Sequence, residues 1–185
     1  MRLGFFGFTF LVSSINLSNG TLFVYNGYSI EFILPIDQFG DKLRRLAVYA
    51  FFKADAEPYP ETIDTMEKLK QYGMKIGILT DVAYGMDNVF SLEDISVLSD
   101  FIDIAITSVD VGYRKPNSAG YLKLLESLEI YPNDMLFIGD EEKDIIGARK
   151  LGIVSALINR SKEIKDFGQD YTLESLSDIF SILHL

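Results

Sequence analysis

The chain has 185 residues, of which 48% are hydrophobic and 24% charged, and this length and composition are typical of one globular domain. A formal net charge of −10, without any cluster of Lys and Arg, argues against a nucleic-acid-binding surface. Because cysteine is absent and the single histidine, His184, is next to last, the sequence also argues against disulfides, thiolate metal sites and histidine acid–base chemistry.

The chain begins with MRLGFFGFTFLV, a nearly unbroken apolar run that predicts a buried β-strand. A secretory signal peptide is the competing interpretation, but a single Arg precedes the run and no small-residue cleavage site follows it. No stretch reaches the roughly 18 consecutive apolar residues of a membrane span. We therefore expect a cytoplasmic protein that makes no membrane contact.

Residues 13–57 are predicted to form an insertion after this first strand. In TLFVYNGYSIEF two alternating runs flank Asn26-Gly27, which predicts a β-hairpin over residues 21–34. Apolar residues then recur at helical spacing from Leu43 to Ala54, and this pattern predicts a helix that needs an apolar partner. If the protein forms a homodimer, we expect the contact in this aromatic-rich insertion.

From Pro58 onward, strand and helix patterns alternate. A helix from Pro60 carries Ile63, Met66 and Leu69 and is ended by Gly73. The strand MKIGIL follows, then a helix that begins with a capping box of Ser91 and Asp94, and then the strand DIAIT. Next come a helix over about 118–128, the strand MLFIG and a helix over about 143–151 that ends at Gly152. The last predicted elements are the strand VSALI, a short strand near Tyr171 and the helix LESLSDIFSIL. Uniformly apolar strands alternating with helices predict a single α/β domain over residues 1–185, built on a doubly wound, Rossmann-like parallel sheet.

Polar side chains follow the predicted strands at their carboxyl ends, where ligands bind in sheets of this kind. Thr80 supplies a hydroxyl, Lys115 an ammonium in a loop continued by Pro116, and Asp140 and Asp144 two carboxylates four residues apart. Such a set suits a phosphate together with Mg²⁺, since Mg²⁺ takes oxygen ligands and bridges to phosphate. Each residue also has a structural interpretation as a helix cap, a solvated cation or a partner of the helix dipole.

In their order and spacing, the segments ILTD, YRKPNSAGY and FIGDEEKD make the stretch from Pro58 to about Ser161 resemble the haloacid dehalogenase superfamily of aspartate-nucleophile phosphatases and their relatives. The resemblance implies that Thr80 hydrogen-bonds the phosphate, that Lys115 neutralises it, and that Asp140 and Asp144 help hold Mg²⁺. It also implies that the insertion forms a flap hairpin and a reduced helical cap.

The family's first motif, Asp-x-Asp-x-Thr at the end of the first strand, is degenerate in this chain. The stretch FFGFTFLV has Gly7 at the position of the nucleophile and Thr9 at that of the general acid and base. Because Gly7 has no side chain, the family's covalent route is blocked and Mg²⁺ loses an anionic ligand, so we expect binding of Mg²⁺ to be weak or absent. Thr9 is less decisive, since cation-transport ATPases of the superfamily carry Thr at this position.

Two other carboxylates are candidates for the missing nucleophile. Asp37 follows an apolar run, but its partner Asp41 is four residues away and Pro35 interrupts the strand. Asp81 is adjacent to Thr80 and is expected to point to the opposite face.

Our leading hypothesis is a phosphatase-like protein that is catalytically impaired and binds phosphate or a phosphorylated small molecule. The alternatives are an active Mg²⁺-dependent phosphohydrolase that uses another carboxylate, and a non-catalytic interaction protein.

Overall fold

The computed structural model describes residues 21–25, 29–33, 58–82, 88–161 and 163–185. Within these residues, parallel strands alternate with helices, so the predicted α/β class is confirmed. None of the described helices is both long and apolar enough to cross a membrane.

The predicted hairpin is confirmed. Strand β1 (Thr21–Tyr25) pairs antiparallel with β2 (Ser29–Ile33), in a register that places Thr21 opposite Ile33 and Tyr25 opposite Ser29. The predicted first strand and the predicted helix from Leu43 to Ala54 lie outside the described residues.

The remaining described residues form a compact α/β unit. Its strands are β3 (Gly77–Thr80), β4 (Ile104–Thr107), β5 (Leu136–Gly139), β6 (Val154–Ile158) and β7 (Tyr171–Leu173). Its helices are α1 (Thr62–Gln71), α2 (Asn88–Asp94), α3 (Ser108–Val111), α4 (Ala119–Leu128), α5 (Glu142–Arg149) and α6 (Ile179–Leu183), with 3-10 turns at Ser96–Phe101, Pro132–Asp134 and Leu176–Asp178. Strands β3 and β4 pair in parallel, and β5, β6 and β7 form a second parallel sheet in that order.

Apolar side chains cover both faces of the second sheet. On one face, Phe137 of β5 joins a core cluster that includes Tyr121 and Leu124 of α4. On the other face, Leu136 and Ile138 of β5 pack against a cluster that includes side chains of β6, β7 and the turn at Leu176–Asp178. Burial on both faces explains why the strands are apolar at successive positions instead of alternating with polar residues.

Among the described residues, a cavity of about 530 Å³ lies between β3 and β5. Side chains of both strands and of helices α1, α4 and α6 line it. Among the described strands, β3 pairs with β4 alone and β5 with β6 alone, and each therefore presents one edge to this cavity. Thr80, Lys115, Gly139 and Asp144 line its end at the carboxyl ends of the two strands.

Two helix boundaries match the predicted glycines. Gly73 follows α1 with a φ of +75°, and Gly152 follows α5 with a φ of +71°, both in the left-handed region that glycine adopts without a Cβ clash.

The buried face of α1 differs from the prediction. Met66 and Leu69 are buried as expected, but Ile63 is 42% exposed and the face is completed by Thr62 and Thr65. Ile63 was therefore wrongly predicted to be buried, because the helix turns Thr62 and Thr65 toward the core instead.

The predicted capping box of Ser91 and Asp94 is wrong, because α2 begins at Asn88 and Ser91 lies inside the helix. The short helix α3, absent from the prediction, has such a box: the Thr107 hydroxyl accepts from the Asp110 N–H, and Asp110 accepts from the Thr107 N–H. The Thr-x-x-Asp signal for it was present in the sequence.

Candidate active site

Lys115 links the carboxyl end of β3 to the start of α5. Its Nζ lies 2.7 Å from Asp144 Oδ1 and donates to the Leu79 carbonyl at 3.3 Å. The Lys115 side chain is 6% exposed and that of Asp144 1%, so this ion pair is nearly dry. The peptide bond from Lys115 to Pro116 is cis. Two of the residues singled out in the sequence are thus in direct contact.

Thr80 ends β3 with a buried hydroxyl. The residue is 2% exposed, and its Oγ1 has no hydrogen-bond partner among the described residues. Because a buried hydroxyl without a partner costs free energy, this atom is suited to hydrogen-bond a ligand at the carboxyl end of β3.

Asp144 is held by the loop that precedes α5. Its Oδ2 accepts the Glu141 N–H at 3.2 Å, while Oδ1 makes the Lys115 ion pair. A Cβ on Gly139 would collide with the Asp144 side chain, so the absence of a side chain at Gly139 makes this close approach feasible. The buried Tyr121 hydroxyl donates to the Asp144 carbonyl at 3.0 Å, which fixes the first turn of α5 on the core.

Asp140 is the predicted site carboxylate with an oxygen still available. Its Oδ1 is buried and has no hydrogen-bond partner among the described residues. Burial, followed by the negative charges of Asp144 and Glu141, raises the pKa of Asp140 to about 6, against the lowering effect of a backbone hydrogen bond and of Lys115. This carboxyl group therefore titrates close to neutral pH.

Asp81 is bound on both of its carboxylate oxygens. Oδ1 accepts the Lys115 N–H at 3.0 Å, and Oδ2 lies 3.1 Å from Lys143 Nζ and 4.0 Å from Arg114 Nε. Lys143 also contacts Glu141 at 2.9 Å. Burial lowers the pKa of Lys143, but the hydrogen bonds to Glu141 and Asp81 outweigh it and raise the pKa above its ordinary value. Lys143 therefore stays charged at neutral pH.

Sequence reasoning missed Lys143, Arg114 and Tyr121. Lys143 lies within the segment FIGDEEKD and Arg114 directly precedes Lys115, so both were adjacent to residues already singled out. Tyr121 left no chemical signal, because an aromatic residue on the apolar face of α4 is typical of a core position.

The described residues do not complete a Mg²⁺ site. Asp144 Oδ1 forms the ion pair with Lys115 and Oδ2 accepts the Glu141 N–H, while Asp140 Oδ1 has no hydrogen-bond partner among the described residues. No group of three or more His, Cys, Asp or Glu side chains in the described ranges is arranged to hold a metal ion. Since Mg²⁺ requires near-octahedral oxygen coordination, further oxygens would have to come from a bound phosphate, water or residues outside these ranges. Gly7, Thr9 and Asp37 lie outside them.

A buried hydroxyl, an ammonium and carboxylates thus meet at the carboxyl edge of parallel strands, the edge at which α/β proteins of this class bind ligands. The chain belongs to the haloacid dehalogenase-like hydrolase family, whose profile matches residues 12–158. The match begins after Gly7 and Thr9, so it does not include the positions at which the first motif is expected.

The chain is similar to curated bacterial proteins named pyrophosphatase PpaX. It is 33% identical over 131 residues to that of Bacillus mycoides (strain KBAB4) and 30% identical to that of Bacillus cereus (strain G9842). Each alignment covers 69% of this chain and 60% of the relative, so the chain spans less than two thirds of these proteins.

Solved structures show the same fold. A haloacid dehalogenase phosphatase from Thermococcus onnurineus aligns with a TM-score of 0.63 and 29% identity, over 80% of this chain and 66% of that protein. A 2-haloacid dehalogenase from Pseudomonas syringae pv. Tomato DC3000 aligns with a TM-score of 0.65 and 22% identity, over 80% and 64% of the two chains. The second likeness concerns the fold alone.

Proposed function

We propose that this protein binds phosphate or a phosphorylated small molecule through Thr80 and Lys115, and that its hydrolytic activity is impaired because Gly7 replaces the nucleophilic aspartate. The observation that carries the binding site is the Thr80 hydroxyl, which is buried, without a partner among the described residues, and at the same end of the cavity as the Lys115 ammonium. A phosphate oxygen would accept from this hydroxyl, and Lys115 would balance its charge.

The contacts made by the described carboxylates support the proposal that hydrolytic activity is impaired. An attacking carboxylate must be ionised and free to approach phosphorus. Asp81 and Asp144 each form a buried ion pair with a lysine and accept a backbone N–H, and these contacts would have to change before either carboxylate could attack phosphorus. Asp140 keeps one oxygen without a hydrogen-bond partner among the described residues and has no ion pair there with a lysine or arginine, so an active Mg²⁺-dependent phosphohydrolase could act through it with the least rearrangement.

The binding site is tested by changing Thr80 to Val, which removes the hydroxyl and keeps the shape of the side chain. We expect the dissociation constant for inorganic phosphate to rise about 10-fold to 100-fold, since one hydrogen bond to a charged group is lost. Thr62→Val is the matched control, because Thr62 on α1 is equally buried and its Oγ1 likewise lacks a partner in the described structure. Equal phosphate affinity in all three proteins, measured by calorimetry, would contradict the proposed site.

Catalytic activity is tested separately, with Mg²⁺ and two substrates. Inorganic diphosphate is included because the curated relatives are named pyrophosphatases, and an aryl phosphate reports on monoester hydrolysis. We expect no turnover above that of a mock preparation. Turnover that disappears in Asp140→Asn or Lys115→Ala would establish the active phosphohydrolase instead.

We also place the predicted first strand in the cavity between β3 and β5. The facing edges of these strands, the helices that line the cavity and its apolar lining suit a central strand without polar faces, as residues 3–12 provide. Such a strand, parallel to its neighbours, would bring Gly7 toward the end of the cavity that Thr80 and Lys115 line.

The absence of cysteine makes this placement testable by disulfide formation. Adjacent strands lie about 4.8 Å apart, within the Cα separation that a disulfide bridges. We expect Phe6→Cys to cross-link within one chain to a cysteine at Phe137 or Ile138, but not to one at Val109, which is 52% exposed on α3. Cross-links between two chains only, or none at all, would contradict the placement.

A further inference from the structure

Asp81 connects three segments at the carboxyl edge of β3. Its Oδ1 accepts the backbone N–H of Lys115 at 3.0 Å, and its Oδ2 contacts the ammonium of Lys143 at 3.1 Å. The Asp81 side chain is 1% exposed. A buried carboxylate with this set of partners has little freedom to turn toward solvent, so its geometry is fixed by the fold.

The residue that follows Asp81 is fixed in the same way. The Val82 N–H donates to Ser108 Oγ at 2.9 Å, and the Val82 carbonyl accepts from Arg114 Nη1 at 2.6 Å. Both bonds from the loop run in one direction: residues 81–82 accept from the backbone of Lys115 and from the side chain of Arg114, the residue before it. The loop that carries Lys115 is therefore attached to the end of β3 through two hydrogen bonds.

Lys115 is thus held at both ends. Asp81 holds its backbone, while Asp144 and the Leu79 carbonyl hold its ammonium. A lysine has a long flexible side chain, and restricting it before the ligand arrives lowers the entropy lost on binding.

The negative charge of Asp81 would by itself weaken phosphate binding. A carboxylate beside an anion site repels the anion, so electrostatics alone predicts that removing Asp81 strengthens the binding of phosphate. Lys143 at 3.1 Å and Arg114 at 4.0 Å offset the charge of Asp81, which lets the carboxylate remain beside the anion site as a hydrogen-bond acceptor.

We propose that Asp81 is a positioning residue for anion binding: it fixes the backbone of Lys115 so that the ammonium stays at the phosphate site, and Lys143 with Arg114 neutralises its charge. This inference rests on the proposed phosphate site and adds to it a residue that does not touch the ligand. The positioning role predicts that removing the Asp81 side chain weakens phosphate binding, whereas its negative charge alone predicts that binding becomes tighter.

The test compares Asp81→Ala with Asp81→Asn, using inorganic phosphate as the probe in calorimetry at constant ionic strength. Alanine removes the acceptor of the Lys115 N–H, and we expect the dissociation constant for phosphate to rise about tenfold. Asparagine removes the charge but keeps an oxygen acceptor, and we expect at least wild-type affinity. Asp81→Ser, whose side chain is too short to reach Lys115, replaces the alanine variant if that variant does not fold.

Asp110→Ala is the matched control. Asp110 accepts the Thr107 N–H at 2.8 Å at the end of β4, so this change removes the same kind of bond beside the neighbouring strand. We expect the phosphate affinity of this variant to stay within about twofold of wild type. Unchanged or tighter binding in Asp81→Ala, or an equal loss in Asp81→Asn, would overturn the positioning role.

A second readout separates this inference from the proposed function. The hydrogen-exchange rate of the Lys115 amide, measured by NMR without ligand, should rise in Asp81→Ala and stay near the wild-type rate in Asp81→Asn. If the variants show this pattern of exchange rates but the wild-type protein binds no phosphate, the phosphate site is refuted while the control of the Lys115 backbone by Asp81 stands. A Lys115 amide that exchanges equally fast in all variants refutes the control by Asp81 itself.

Discussion

Replacing Asp140 by Asn is expected to stabilise the folded protein at neutral pH. Burial beside Asp144 and Glu141 raises the pKa of Asp140 from its ordinary 3.8 to about 6. Since each pKa unit corresponds to about 1.4 kcal/mol, ionising Asp140 costs about 3 kcal/mol more in the folded state than in the unfolded state, and this cost lowers the free energy of unfolding. The variant avoids that cost, and we expect a gain of about 2–3 kcal/mol, since the side chain keeps some contact with water.

The gain should depend on pH in a defined direction. A raised carboxyl pKa means that the folded state binds the proton more tightly than the unfolded state. The cost of ionisation is therefore absent below about pH 4, grows between about pH 4 and 6, and is complete above about pH 6.

The measurement is urea unfolding of both proteins across this pH range, with EDTA present so that no divalent cation offsets the charge of Asp140. The exposed Asp100, changed to Asn, controls for the change in net charge. Equal stability of wild type and Asp140→Asn at pH 8 would refute the reasoning. A gain of the same size at pH 4 and pH 8 would refute it too, because the effect would then not come from ionisation.

Three further changes probe how the site is supported. Gly147→Ala would place a Cβ against the Tyr121 ring, and we expect a loss of about 1–3 kcal/mol in urea unfolding. Tyr121→Phe removes the donor to the Asp144 carbonyl and should cost about 1–3 kcal/mol by the same measurement, while a variant as stable as wild type would show that the bond is dispensable. Asp103→Asn removes a carboxylate whose pKa is lowered chiefly by its hydrogen bond with Lys70. We expect the free energy of unfolding at pH 7 to fall by less than about 1 kcal/mol, because the pair is partly exposed. The difference from wild type should vanish as acidification protonates the wild-type carboxyl group.

Local patterns predicted most of the elements that carry the site. The pairing of β1 with β2 and the helix ends at Gly73 and Gly152 were predicted correctly, because alternating apolar runs and glycines specify them locally. The buried face of α1 was predicted incompletely, because burial of Thr62 and exposure of Ile63 depend on what packs against the helix. Helix α2 was misplaced because a capping pattern inside a helix resembles one at its start.

By itself, the sequence determined the α/β class, the family and the order of Thr80, Lys115, Asp140 and Asp144 along the chain, since these follow from periodicity and from motifs that are contiguous in sequence. The tertiary structure decided which charges meet. It paired Lys115 with Asp144, left an oxygen of Asp140 without a partner in the described structure, and bound Asp81 to the Lys115 backbone. These contacts join residues that are 29 and 34 positions apart in the chain, and their strength depends on distance and burial, which residue order does not encode.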